Sequence, residues 1–339
     1  MTASTVTLAT TDGPMECYEV TPDGEARGAV VVIQEAFGVN EHIQDVTRRF
    51  AAAGHHAIAP ALFHRAGGGT ADYGDFAAVI PLFEGVSDDG ILVDVDAVLS
   101  HLHERGFDDR RIAIVGFCFG GRVSFLVSAR RGLGAGVGFY GGGIVNAGVL
   151  PFPALAGEIP TLQTPWLGLF GDEDASIPVD DVETLRERLV GAPVRAEVVR
   201  YEGAKHGFHC DRRPDDFHPV AAADAWARTL TWLDAHLGLP SRRRGQPAAR
   251  VTTKSGKVRR SVAHCRRGNT AGHDRPTGES GHAGRHGADR RWPRHAGCAR
   301  SRRGRTSDRS GVVGVSLVRL GRVAAHPRHR GARRPGGGA

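Results

Sequence analysis

The feature that most constrains the fold of this chain is a sharp glycine-rich turn between an apolar run and a helical stretch. It reads Gly-Phe-Cys-Phe-Gly-Gly at residues 116–121 and directly follows the apolar run 111–115. Glycines on both sides of the central residue permit a turn so tight that side chains there would clash. Such a turn exposes the central side chain beside the N–H groups of the following helix, which favour a thiolate. Cys118 is therefore a candidate nucleophile, and the alternative is a buried, unreactive thiol.

Charge divides the chain into two parts near residue 240. Residues 1–240 contain 18 Lys and Arg against 33 Asp and Glu, whereas residues 241–339 contain 26 against 4. The first part also holds nearly all the aromatic residues and every long apolar run, which is enough for one domain with a substantial core. We therefore predict a folded domain over 1–240 and a disordered, Arg- and Gly-rich tail over 241–339.

Three interpretations of the predicted tail remain open. We prefer a GC-rich coding sequence read out of frame or past its proper end, because this yields Arg, Gly, Ala and Pro without hydrophobic periodicity. The second is a basic arm that binds nucleic acid, although the tail lacks interleaved aromatic residues for base stacking. The third is a solvated linker. An intact mass of the native protein near that of residues 1–240 would decide for the first.

The composition also argues against several classes of protein. No basic region followed by an apolar core is visible near the N-terminus, and no apolar run reaches membrane-spanning length. The five cysteines are scattered without Cys-x-x-Cys spacing, which indicates neither a zinc site nor a disulfide framework. We expect a cytoplasmic monomer with a small-molecule substrate and no cofactor, metal or membrane partner.

Strand-like and helix-like segments alternate along residues 1–240. This pattern predicts an α/β fold with a mostly parallel, doubly wound sheet flanked by helices. A hairpin around Asp12-Gly13 is expected to open the domain. Further strands are predicted at 29–33, 56–59, 111–115, 136–140, 166–170 and 196–201, and helices at 41–53, 88–105, 119–129, 178–189 and 217–237.

An acidic residue follows a later predicted strand, as a cysteine nucleophile with a catalytic base requires. The strand 166–170 leads into Gly-x-x-Asp-x-x-Ile-Pro, which places Asp174 on the loop at the carboxyl end of the strand. Asp172 is the fallback. A helix-capping aspartate is the alternative interpretation of Asp174.

A histidine occupies the corresponding position after the last predicted strand. His206 lies in Gly-Ala-Lys-His-Gly-Phe, between small residues that leave its ring free to reach across the end of the sheet. His209 and His218 lack this context and are expected to make structural hydrogen bonds. The chain order nucleophile, acid, base is the order found in α/β-hydrolases.

The loop after strand 29–33 is the expected oxyanion loop. Backbone N–H groups of Ala36 and Phe119 would converge on the oxygen of a reacting carbonyl. Glu35 is unusual there, because a carboxylate near the nucleophile disfavours a thiolate unless it holds the thiol and swings away when substrate binds. The alternative is a solvent-facing loop charge.

Four ordered motifs together resemble the dienelactone hydrolase (carboxymethylenebutenolidase) family, over roughly residues 10–237. The motifs are Gln-Glu-x-Phe-Gly-Val-Asn at 34–40, the turn at 116–121, Gly-x-x-Asp-x-x-Ile-Pro at 171–178 and Gly-Ala-x-His-Gly-Phe at 203–208. The resemblance implies an α/β-hydrolase fold and hydrolysis of a cyclic enol-lactone to maleylacetate through a cysteine acyl-enzyme, without a cofactor. It further implies that Glu35 holds the resting thiol until substrate displaces it.

The sequence departs from the family in the arginine pair that clamps the substrate carboxylate. Cys210 stands at one of these positions, and residues 70–83 contain no Arg or Lys for the other. The replacements considered are Arg65, Arg122, Arg212 and Arg213. A broad carboxylesterase or thioesterase on the same fold therefore stays open, as does a basic-tailed nucleic-acid-binding protein.

Overall fold

The computed structural model describes residues 1–238, and the predicted tail lies outside the described residues. Their strands form one eight-stranded sheet, and helices are inserted between most of the strands. The strands are β1 (Thr2–Thr10), β2 (Gly13–Thr21), β3 (Ala29–Ile33), β4 (His56–Pro60), β5 (Ile112–Phe117), β6 (Ala135–Phe139), β7 (Trp166–Gly171) and β8 (Ala196–Tyr201). The helices are α1 (Glu41–Ala52), α2 (Phe76–Leu82), α3 (Asp88–Glu104), α4 (Phe119–Arg130), α5 (Val179–Leu189) and α6 (Pro219–His236).

The sheet is mixed, with an antiparallel edge and a parallel centre. Its order is β1-β2-β4-β3-β5-β6-β7-β8; β1 and β2 form a hairpin, β2 pairs antiparallel with β4, and all later pairs are parallel. Every residue of β3 and β5 is buried, because helices cover both faces of the parallel region. The predicted α/β fold with a mostly parallel sheet is thus confirmed.

The direction of the chain across the sheet reverses between β3 and β5. The connection through α1 leads from β3 to β4 on one side, whereas α3 and α4 lead back to β5 and on to β6. Right-handed crossovers then put α1 on one face and α3 and α4 on the other. The loops after β3 and β5 diverge at this point and leave a crevice at the carboxyl ends of the strands.

Aromatic and ionic contacts fix the helices on the two faces. The rings of Phe50 on α1 and Trp226 on α6 lie 4.6 Å apart, so these helices share a face. On α4, the Arg122 guanidinium donates to both carboxylate oxygens of Asp88 on α3. Helix α2 is absent from the prediction; it is seven residues long and contains a proline. Within residues 1–238, no helix combines the length and apolar character needed to cross a bilayer.

A buried carboxylate between β2, β4 and α3 makes stability sensitive to acid. Glu19 is 3% exposed and accepts hydrogen bonds from His56 at 2.9 Å, His101 at 2.8 Å and Arg105 at 3.2 Å. Burial raises the pKa of Glu19, but the two histidines outweigh it and bring it to about 2. The stabilisation by this carboxylate is therefore complete above its unfolded pKa of about 4.5 and is lost as the pH falls toward 2.

We expect Glu19→Gln to lower the free energy of unfolding at pH 7 by about 1–3 kcal/mol, because the buried imidazoles lose a charged acceptor. Urea denaturation from pH 7 down to pH 2 measures the difference between wild type and variant. The difference should shrink below pH 4.5; a constant difference would contradict the assignment.

Candidate active site

The turn after β5 holds Cys118 in a backbone conformation that a non-glycine residue rarely adopts. Its φ is 55° and its ψ −116°. A Cβ at Gly116 would lie 1.8 Å from the Gly120 carbonyl oxygen, and one at Gly120 would lie 2.4 Å from the Ile33 carbonyl oxygen. The glycines therefore let the start of α4 pack directly on the end of β3 and leave the partly exposed sulfur at the crevice.

The loops after β7 and β8 bring an acid and a base to the same end of the sheet. His206 Nδ1 lies 2.7 Å from Asp174 Oδ2, and the Asp174 side chain is 1% exposed. Because the carboxylate only accepts, Nδ1 carries the proton and Nε2 is left for another partner. Within residues 1–238, no hydrogen bond joins this ring to the Cys118 sulfur; burial lowers the pKa of His206, and Cys118 is near enough to raise it.

The charges of these three groups support one another. Burial opposes the charged form of His206, but Cys118 and Asp174 outweigh it and hold the pKa of the imidazole well above its ordinary value. Burial likewise raises the pKa of Asp174, and the hydrogen bonds from His206 and Ser176 outweigh it, so this pKa lies below its usual range. The arrangement favours an imidazolium beside an ionised aspartate.

Glu35 lies at the end of β3 in a fully buried position. Its two carboxylate oxygens accept hydrogen bonds from Tyr73 at 2.9 Å and Tyr140 at 3.4 Å. Among the hydrogen bonds of residues 1–238, none joins Glu35 to Cys118. In this structure the carboxylate is therefore held by the two phenols.

The residues around Glu35 form a second layer of the site. Tyr140 follows β6 with a φ of 37°, and its ring lies 5.1 Å from that of His206. Cys210 donates to the Tyr73 hydroxyl at 3.3 Å. Arg213 lies over the Tyr73 ring at 5.5 Å; burial lowers its pKa, but Glu35 and Asp216 raise it more. Arg213 thus puts a positive charge near the carboxylate and the active-site crevice. Arg213 also pairs with Asp216 at 2.7 Å.

The other arginines considered from sequence are engaged away from the crevice or distant from it. Arg65 bonds Asp94 at 2.7 Å, and Arg122 is held between Asp88 and the Pro153 carbonyl. The Arg212 side chain is 59% exposed, and the carboxylate of Glu41, the first residue of α1, lies 3.9 Å from its guanidinium. None of these three guanidinium groups is directed to the Cys118 crevice by the contacts it makes.

The expected oxyanion groups lie on adjacent strand ends. Ala36 and Phe119 are buried, and the contact between Gly120 and the end of β3 brings their backbones together. Phe119 is the first residue of α4, so its N–H has no carbonyl partner within the helix.

The alternative acid and bases from the sequence lie elsewhere. Asp172 pairs with Arg200 at 2.7 Å. His209 is 2% exposed, and burial first, then nearby positive charge, lowers its pKa to about 3. His218 accepts from the Ala221 N–H and caps α6.

Sequence reasoning missed three residues of the site. Ser176 donates to Asp174 at 2.7 Å and holds that carboxylate in place. Tyr140 carried a usable signal, because it directly follows a strand that ends in the crevice. Tyr73 carried no signal of a functional role, since it lies in a loop whose only recognisable sequence feature is its glycines.

The dienelactone hydrolase family model matches residues 15–237, which includes every residue of this site. The chain belongs to the dienelactone hydrolase family. Dienelactone hydrolases are carboxylic ester hydrolases, and this chain is therefore an enzyme of carboxymethylenebutenolidase type.

Several proteins are similar to this chain. A Salmonella typhimurium protein named "Putative carboxymethylenebutenolidase" is 42% identical over 233 residues, which covers 66% of this chain and 84% of the relative. A Bradyrhizobium protein named "Probable 2-oxo-3-(5-oxofuran-2-ylidene)propanoate lactonase" is 28% identical and is covered over 98% of its length. A crystal structure of a "Putative Dienelactone Hydrolase" from Klebsiella pneumoniae is 38% identical, with a TM-score of 0.64, covering 69% of this chain and 98% of that one.

Proposed function

We propose that this dienelactone hydrolase opens an unsaturated lactone, of the type carboxymethylenebutenolide to maleylacetate, through an acyl-enzyme on Cys118. The observation that carries the proposal is the Cys118–His206–Asp174 arrangement at the carboxyl edge of the sheet. A strained nucleophile beside an oriented base is the arrangement that covalent acyl transfer requires.

The proposed reaction has two steps. The Cys118 thiolate attacks the lactone carbonyl carbon, the ring C–O bond breaks, and imidazolium of His206 gives its proton to the departing enolate oxygen. Water then attacks the thioester carbon as neutral His206 takes its proton, and the C–S bond breaks to release the acid and the thiolate. The N–H groups of Ala36 and Phe119 stabilise the oxyanion in both steps.

Glu35 controls the thiol in this proposal. Tyr73 and Tyr140 hold the carboxylate, which makes no hydrogen bond to Cys118 within residues 1–238, and we assign this orientation to the substrate-bound, activated arrangement. When the carboxylate turns to Cys118, it holds a thiol at rest. Exchange of one proton between Cys118 and Glu35 would thus link activation to binding.

Arg213 is our choice for the group that binds the substrate carboxylate, in place of Arg65, Arg122 and Arg212. It lies against Gly207, next to His206, where a Cβ would be 2.5 Å from its Nη1. We expect Arg213→Gln to lower kcat/KM by about 10- to 100-fold on a lactone that bears a carboxylate, through KM.

Two comparisons make the Arg213 test specific. The same variant should hydrolyse neutral p-nitrophenyl acetate at nearly the wild-type rate, and the matched Arg212→Gln should leave both substrates unaffected. An equal loss on both substrates would assign Arg213 a structural role only.

A broad carboxylesterase is the second candidate, favoured by the ion pairs that occupy Arg65 and Arg122. Side-by-side hydrolysis of a dienelactone and p-nitrophenyl acetate by the full chain decides between them. Selective opening of the dienelactone supports the first proposal, and preference for the neutral ester replaces it with the second. Failure to hydrolyse either substrate overturns both.

A further inference from the structure

Three donors of different chemistry converge at one place, and the proposed gating carboxylate Glu35 is one of them. One oxygen of Glu35, one ring nitrogen of His42 and the sulfur of Cys210 all lie within 4.8 Å of one another, and all three residues are buried. They come from the end of β3, the first turn of α1 and the loop between β8 and α6.

The His42 ring packs against Phe117 and His209, but its nitrogen atoms have no assigned partner in the described part of the chain. It is 1% exposed, and among residues 1–238 neither of its ring nitrogens has a hydrogen-bond partner. Its Nδ1 lies 4.0 Å from Asp211 Oδ1, which is too long for a hydrogen bond but close enough to stabilise a proton there. The other ring nitrogen then keeps a free lone pair. Buried polar atoms without a partner are rare in folded proteins and indicate a missing ligand or water.

From this convergence we infer that Glu35, His42 and Cys210 form a binding site for a zinc-class divalent cation. Thiolate, imidazole and carboxylate are the donors that Zn²⁺ accepts in tetrahedral sites. Tetrahedral coordination places neighbouring donors about 3.5 Å apart, so these side chains need to approach by at most about 1.3 Å. On binding, the Cys210 thiol releases its proton to solvent.

Two neighbours fit this assignment. The Tyr73 hydroxyl lies 3.3 Å from the Cys210 sulfur and 2.9 Å from a Glu35 oxygen, so it supplies a fourth donor atom, an oxygen, at the same place. Asp211 lies near Nδ1 of His42. In many sites a carboxylate at such a position orients a metal-bound imidazole.

Metal at this site would compete with the gating role of Glu35. A carboxylate bound to the cation cannot turn to Cys118, so occupancy would change the enzyme's activity; this consequence, unlike the site itself, rests on the proposed function. Binding is therefore measured without substrate, so that failure of the metal site and failure of the proposed hydrolysis give separate results.

The test uses Co²⁺, because Zn²⁺ has a filled d shell and no visible spectrum. The full chain is reduced, treated with chelator, desalted and titrated with Co²⁺. We expect one equivalent to produce a near-ultraviolet thiolate-to-cobalt charge-transfer band that added Zn²⁺ removes. The band should persist in Cys118→Ser and disappear in Cys210→Ser. Because Cys17, Cys265 and Cys298 are present in all three proteins, the difference isolates Cys210.

His42→Gln provides a second variant in case loss of Cys210 prevents folding, which circular dichroism reports. It should weaken Co²⁺ binding by more than about 100-fold, since loss of even an outer-shell partner costs 10- to 100-fold. The inference is overturned if the wild type shows no band, if Cys210→Ser keeps it, if only Cys118→Ser loses it, or if His42→Gln binds like the wild type.

Discussion

Replacing Cys118 with alanine should reduce kcat for lactone and ester hydrolysis by at least about 10⁴-fold. The variant keeps the crevice and the N–H groups of the oxyanion loop but has no atom that can form the acyl-enzyme. Initial rates on a dienelactone and on p-nitrophenyl acetate, measured with the full chain, check the prediction. A residual rate above one hundredth of wild type would mean that Cys118 is not the nucleophile.

Cys17→Ala is the matched control for the loss of a thiol. Cys17 is 1% exposed on β2, outside the strands whose loops form the crevice, and burial first, then Glu19, raises its pKa to about 12. An inert thiol at that position predicts a kcat within about twofold of wild type. A large loss in both variants would indicate general damage to the fold.

Asp174→Asn should reduce kcat by about 10³- to 10⁴-fold while leaving the fold intact. The amide can donate to Nδ1 and so favour the imidazole tautomer that cannot act on Cys118. Because Asp174 also helps to raise the pKa of His206, its removal lowers that pKa. The alkaline limb of the pH–rate profile, where the imidazolium is lost, should therefore move to lower pH.

Asp172→Asn is the corresponding control, two residues earlier on the same loop. Its carboxylate pairs with Arg200 and does not touch His206. We expect kcat within about threefold of wild type and an unchanged alkaline limb. Equal losses in Asp172→Asn and Asp174→Asn would leave the acid unassigned, and a larger loss in Asp172→Asn would make Asp172 the acid.

The framework of the fold is readable from the sequence because its strands are buried on both faces. The predicted strand 29–33 and the observed β3 have the same bounds, and the predicted helix 41–53 differs from α1 by one residue. Continuous runs of β-branched residues predict the buried strand, and a glycine after the apolar positions marks the end of the helix. Helix α2 was not predicted because its seven residues, which include Pro81, are too few to show a helical period of apolar residues. Its position depends on packing over Phe37.

The site could be predicted only where each residue is tied to a strand end. Cys118, Asp174 and His206 follow β5, β7 and β8 at short distances, and the parallel sheet brings such positions together. Side-chain partners carry no comparable signal. Nothing in the sequence shows that Arg65 pairs with Asp94, or that Tyr73 reaches Glu35. Cys210 is likewise too far along the chain from Glu35 and His42 for any spacing rule to join the three.

Two neighbouring residues of the crevice, Cys118 and Tyr140, both have positive φ, and each such conformation costs about 1–3 kcal/mol. They are pinned by the next strands, since the Cys118 N–H donates to Phe139 and the Tyr140 N–H donates to Leu169. Glycine at Cys118 would relax the backbone but remove the sulfur, whereas glycine at Tyr140 would also remove a fully buried ring, which costs more than the strain it relieves. Selection for thermostability alone at Cys118 would therefore work against activity, and stabilisation that keeps the sulfur has to come from other positions.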